Sequence, residues 1–192
     1  NELEKGINAR NIELSQSKIN LIKEFNLISL KPVIYVANVD ENQKDGPALD
    51  AVKKKAQSDN SEMIIMCNQL EAEISELGDD KEEFLKEVGL IEPGLNRLIK
   101  VAYHTLGLRT YFTAGEKEVR SWVIKDGFTA PQAAGVIHTD FEKGFIRAET
   151  VSFDHYIQFN GEQGSKASGK WRSEGAEYIV NDGDVILFRF NV

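Results

Sequence analysis

Two short apolar runs, VIYVA at 33–37 and MIIM at 63–66, flank a single helical stretch, and this spacing restricts the fold more than any other feature of the chain. Strands joined through a helix pair in parallel, with a right-handed crossover. Pro32 opens the first run, and Pro47 sits where a first helical turn begins, with ALDAVKKKAQ after it. After the second run, NQLEAEISEL places Leu70, Ile74 and Leu77 at helical spacing. Strand, helix, strand, helix is the pattern of a βαβ unit, and the unbroken apolar character of the first run predicts a buried parallel strand. Such strands carry polar residues to the sheet edge where α/β proteins bind ligands. Here the first one ends in Asn38-Val39-Asp40-Glu41.

The flanking regions have a different texture. Ile19, Ile22 and Phe25 fall at three-residue intervals, which predicts a helix ending near Asn26 with one face buried. Residues 80–107 read as more helix, broken at Glu92-Pro93-Gly94. From Arg109 onward the chain is rich in aromatic and β-branched residues, with turns at Ala114-Gly115, Asp126-Gly127 and Asp182-Gly183. Residues 130–136 suit a short helix, and VILFRFNV at the end suits a strand buried largely on both faces. A mixed sheet with one helix across it is the expectation for this half.

The 192 residues have room for one large domain or two small ones. The net charge is −8, with 13 basic and 19 acidic groups in 1–107 against 10 and 12 in 108–192. An acidic protein is a poor non-specific binder of nucleic acid, so an RNA contact would need a local basic patch. Cys67 is the single cysteine, which rules out an internal disulfide and suits a reducing, cytoplasmic location. No apolar run approaches bilayer length, so no membrane contact is expected. The first residue is Asn1 and not Met, which reads as a piece of a longer chain.

Asn38 through Glu41 form the sharpest constellation. An amide side chain donates and accepts at once, which suits a purine edge or a tie to a neighbouring loop, and a carboxylate three residues on can accept from N–H groups. The same string is also an ordinary polar turn after a strand. GSKASGK at 164–170 satisfies the phosphate-loop spacing, but Trp171 stands where the magnesium-binding hydroxyl belongs and no strand leads into it. It reads as a flexible Gly/Ser/Lys loop. His104, His138 and His155 lack metal-ligand spacing, Lys53-Lys54-Lys55 reads as a solvated helix face, and Trp122 and Trp171 as packing residues.

KPVIYVANVDE, CNQLEAEISEL, GLRTYFTAGEKEVRSWVI, APQAAGVIHTDFEKGFIRAE and YIVNDGDVILFRFNV together resemble the YchF family, the Obg-like ATPases, over essentially the whole chain. The resemblance implies three parts. Residues 1–27 would end an α-helical insertion, 28–107 would be the second half of an α/β P-loop nucleotidase domain, and 108–192 would be an α+β TGS domain of β-grasp, ubiquitin-like fold. Related GTPases carry Asn-Lys-x-Asp, whose Asp accepts from guanine N1–H and the 2-amino group. The family carries Asn-x-x-Glu, matched here by Asn38 and Glu41, with Val39 where the Lys would pack over the base. Adenine lacks both guanine donors, so the exchange is physically sensible. Cys67, Asn68 and Gln69 would form the second base-side loop.

The resemblance further implies ATP (or GTP) and Mg2+ as cofactors of the full-length parent, with ribosome, rRNA or tRNA as partners of the TGS domain. For that contact the chain offers Lys143, Arg147, Lys166, Lys170 and Arg172. The phosphate loop, the magnesium ligands and the hydrolytic histidine of the family would lie in a missing N-terminal half. No catalytic residue is therefore expected in this chain, which alone should neither bind nucleotide tightly nor hydrolyse ATP. Residues 28–107 would be unstable without the other half, and a TGS or protein-binding module without activity is the alternative reading.

Overall fold

The computed structural model describes residues 2–41 and 45–191. Residues 42–44, between the Asn38–Glu41 string and Pro47, and Val192, at the end of the expected last strand, lie outside the described residues. The chain divides into two compact units, Asn1–Leu106 and Gly107–Val192.

In the first unit two short 3-10 turns, Leu3–Lys5 and Ala9–Asn11, precede helix α1, Gln16–Lys23, which buries no residue. The expected buried face is not there: Ile19 and Ile22 are half-buried, while Phe25 is 72% exposed and lies beyond the helix end. Strand β1, Ile34–Asn38, leads through helix α2, Pro47–Ser58, to strand β2, Glu62–Met66. Helices α3, Asn68–Glu76, α4, Lys81–Glu87, and α5, Gly94–Thr105, follow. Gly46 takes φ +130, a conformation other residues resist, and turns the chain into Pro47 at the first helical position.

β1 and β2 pair in parallel, from Ile34 opposite Glu62 to Asn38 opposite Met66, and α2 and α5 both pack on the pair. The expectation of a buried β1 fails, because Val36 remains 43% exposed. Parallel strands are ordinarily flanked and covered on both faces. Here β1 has β2 as its one strand partner among the described residues. Leu70, Ile74 and Leu85 form a small core, joined by Phe84, Val88 and Leu90.

The second unit is one five-stranded sheet with helices. Strands β3, Leu108–Ala114, and β4, Val119–Lys125, form a hairpin. Helices α6, Ala130–Ile137, and α7, Thr139–Lys143, then lead to β5, Phe145–Ser152. Helices α8, Phe153–Gln158, and α9, Glu162–Ala167, precede β6, Arg172–Glu174, and β7, Asp184–Phe190. The sheet order is β4-β3-β7-β5-β6. β7 lies at the centre, parallel to β3 and antiparallel to β5. A central strand needs apolar residues on both faces, and Val185, Ile186 and Phe188 are all buried.

α6 lies close to the sheet because Ala130, Ala133 and Ala134, all fully buried, have only methyl groups. Tyr111 fills the space beneath, its hydroxyl donating to the Ala133 carbonyl at 2.9 Å, and burial pushes that phenol's pKa up. Thr129 starts the helix with a capping box, its N–H donating to Gln132 Oε1 at 2.9 Å. Three further short helices, α7, α8 and α9, correct the expectation of one helix in this half.

The GSKASGK stretch is also corrected: it is not a loop but largely the turns of α9. Ser165 is fully buried and donates to the Gly161 carbonyl at 2.8 Å. Lys166 pairs with Glu162 one turn earlier at 2.5 Å. Gly164 packs directly on the Phe159 carbonyl, where a Cβ would collide. Gly164 is there for packing and Gly169 for its φ of +69, and helix α8, not a strand, precedes them.

Candidate nucleotide-base site

The site is built where β1 and β2 end side by side. The Val39 N–H donates to the Met66 carbonyl at 3.0 Å, extending the ladder by one residue. The Asn38 side chain then crosses the gap, its Oδ1 accepting from the Asn68 N–H at 3.0 Å. Asn68 is the first residue of α3, so Asn38 binds a backbone donor that no turn of that helix satisfies. With its oxygen committed, the Asn38 amide keeps two N–H donors for another group.

Val39, Asp40 and Glu41 form one wall of a cavity of about 270 Å³, with Cys67, Leu70, Glu71, Val88, Leu90 and Arg97 among its other walls. Val39 and Asp40 also line a second cavity, about 410 Å³, beside Val36, Asn38, Asp45 and Pro47. The structure therefore brings Asn38, Val39, Glu41, Cys67 and the Asn68 backbone together. Gln69 takes no part: its side chain runs along α3 and donates to Glu73 at 3.3 Å.

Two residues that the sequence did not single out hold this corner. The Glu71 carboxylate accepts from the Gly94 N–H at 2.6 Å and the Leu95 N–H at 3.1 Å. Arg97 Nη2 donates to the Ile65 carbonyl at 3.2 Å. The available signal was the Pro93-Gly94 pair, which starts a helix without any side-chain acceptor of its own and so needs one from elsewhere.

A cavity of about 440 Å³ lies elsewhere in this unit, lined by Arg10, Asp59, Glu62, His104 and Thr105 among others. Its charged node is Asp59, 6% exposed, which accepts from Lys55 at 2.8 Å and from the Tyr35 hydroxyl at 2.5 Å. The Lys55 bond, then the Tyr35 bond, holds the Asp59 carboxyl below its usual range. All three lysines of the run are exposed, in line with a solvated helix face, and Lys55 in addition ties the end of α2 to β1 through Asp59.

In the second unit, most of the basic residues proposed for RNA contact already face acids. Arg147 pairs with Glu149 at 3.0 Å, Lys166 with Glu162 at 2.5 Å and Arg172 with Glu174 at 3.4 Å. Lys143 and Lys170 are exposed. Glu149 also takes Arg189 at 3.2 Å and the Trp171 indole N–H at 3.4 Å. Those bonds, Arg189's foremost, hold its carboxyl down at about 2 in spite of its burial. His138 serves locally, its Nδ1 accepting from the Asp140 N–H at 3.2 Å to cap α7. Among the described residues no group of three His, Cys, Asp or Glu is placed to hold a metal ion, and no helix is long and apolar enough to cross a membrane.

Comparison with known proteins gives a consistent picture. Residues 108–191 match the family model YchF-GTPase_C, described as "Protein of unknown function (DUF933)". The "Ribosome-binding ATPase YchF" of Haemophilus ducreyi is 52% identical over 185 residues, covering 95% of this chain and 51% of that protein. The protein of that name from Bacillus subtilis is 49% identical over 189 residues, covering 96% and 52%. The solved structure titled as the Schizosaccharomyces pombe YchF GTPase superposes with a TM-score of 0.81 at 33% identity, over 97% of this chain and 50% of that one. The chain spans about half the length of the curated relatives it matches. With half its residues identical to theirs over nearly its whole length, the chain belongs to the YchF family.

Proposed function

We propose that this chain is the C-terminal part of a ribosome-associated, ATP-hydrolysing P-loop nucleotidase, to which it contributes the base-recognising strand ends and a β-grasp TGS domain. The observation that carries the reading is the hydrogen bond from the Asn68 N–H to Asn38 Oδ1 at 3.0 Å. It joins two loops at the ends of adjacent parallel strands, the place where open α/β sheets take ligands. The remaining Asn38 N–H donors suit the ring-nitrogen acceptors of a purine. Val39 offers an apolar surface to the ring, and Glu41 has no guanine donor to engage when the base is adenine.

The exposed side chain of Val36 supports a further element of the longer protein that covers this face of β1. Magnesium and the phosphates would be held by that longer protein, and no phosphoryl-transfer step is assigned to residues of this chain. The bacterial relatives are named ATPases and the yeast one a GTPase, so base preference is the quantity to measure. Titration of the full-length protein and its Asn38→Ala and Glu41→Ala variants with ATP and GTP tests the reading. Loss of about tenfold or more in affinity for the preferred nucleotide is expected for Asn38→Ala, since a purine contact and the loop tie both go. Unchanged affinity and preference in both variants would sink it.

The second unit supports a TGS assignment through its order β4-β3-β7-β5-β6, with α6 packed against the sheet between the first hairpin and β5. The name the relatives carry supports a ribosome contact, and we assign it to the exposed Lys143 and Lys170, with a cytoplasmic location. Cosedimentation of the full-length protein with ribosomes across a salt series checks it. A Lys143→Glu, Lys170→Glu double variant should release at lower salt than the parent; identical salt profiles count against that surface.

A further inference from the structure

The second base-side loop, at Cys67 and Asn68, is tied to Asn38 on one side and has α5 on the other. α5 begins at Gly94 after Pro93, with neither a side-chain cap nor an acidic residue in its first turn. Glu71, on α3 just past the loop, fills that role from another helix, accepting from the first two amides of α5. A carboxylate there meets both the free N–H groups and the positive end of the helix. A Cβ on residue 94 would lie 2.7 Å from Glu71 Oε1 and 3.2 Å from the Met66 Cβ, so glycine is needed for the approach. One turn along α5, Arg97 donates to the carbonyl of Ile65, two residues before Cys67. The loop is thus gripped from both sides by one helix, and both gripping side chains line the cavity that Val39, Glu41 and Cys67 also line.

We infer that Glu71 and Arg97 are positioning residues of the base site, which set where the second loop meets the nucleotide base and so tune purine choice. The inference rests on the base-site reading above. Neither side chain is assigned a contact with the phosphates, so their loss acts on base affinity and not on turnover at saturation. The Arg97 Nε–H is buried without a protein partner, in keeping with an arginine that lines a cavity rather than packs in a closed core.

The test uses the full-length protein with ATP and GTP as probes, comparing the parent with Glu71→Gln, Arg97→Met, Arg97→Lys, Asn38→Ala and an exposed control, Lys54→Ala. Gln keeps the shape of Glu71 but sets an amide NH2 against one α5 donor. KM for ATP should rise about five- to tenfold in Glu71→Gln and Arg97→Met. kcat should stay within about twofold, and the ATP-to-GTP affinity ratio should change. Arg97→Lys, which keeps one donor for Ile65, should recover most of the loss. A merely structural role would lower the melting temperature while leaving the affinity ratio and the kcat-to-KM split as in the parent, and that result overturns the inference. If Asn38→Ala alters binding while Glu71→Gln and Arg97→Met match the control, the base site stands and the positioning role falls. If none of the variants differs from the control, both fall.

Discussion

Asn38 and Glu149 show how much a single side chain can hold together. Asn38→Ala removes an exposed loop tie, so its cost to stability should be about 0.5–1 kcal/mol, while its cost to nucleotide affinity should be larger. Chemical denaturation beside nucleotide titration separates the two. Glu149 behaves differently. Its carboxyl is held at about 2 against an ordinary 4.5, so its pairing stabilises the fold fully above pH 4.5 and is lost as pH falls toward 2. Glu149→Gln should therefore cost on the order of 2 kcal/mol at pH 7 and little near pH 2, a convergence that pH-dependent unfolding reads directly. Asn38 was legible because it follows an apolar run at once. Glu149 was not, since it is the one acid of a mixed strand and its main partner, Arg189, lies 40 residues away.

The elements divide in the same way between local and distant causes. β1, α2, β2 and α3 were readable because apolar spacing, Pro47 and chain-local turns specify them. α5 was readable as a helix, but not as a clamp on the base loop, because Glu71 lies 23 residues before its amide partner. α9 was missed as a helix: Gly161, Gly164 and Gly169, with Ser165 and Ser168 between them, read as loop residues, and tertiary packing decided the outcome. Gly164→Ala would improve helix propensity locally yet place a Cβ against the Phe159 carbonyl. We expect it to destabilise the second unit by about 1–3 kcal/mol, the reverse of the propensity effect, as thermal melting would show. Equal or higher stability would mean that α8 and α9 yield easily.

The molecule as a whole is two units with separate cores, one around Tyr111 and α6 and a smaller one around Ile74. The change of texture near Arg109 announced that division in the sequence. What the sequence concealed was how unevenly the apolar surface is covered. Val36 on β1 and Phe25 beyond α1 remain exposed, against a second unit whose central strand is buried on both faces. Photolabelling the full-length protein with 8-azido-ATP and mapping the modified peptides locates the purine base at the joined ends of β1 and β2. Label is expected within 38–41 and 67–70 and should be lost on adding excess ATP; label absent from both stretches, or undiminished by ATP, would place the base elsewhere.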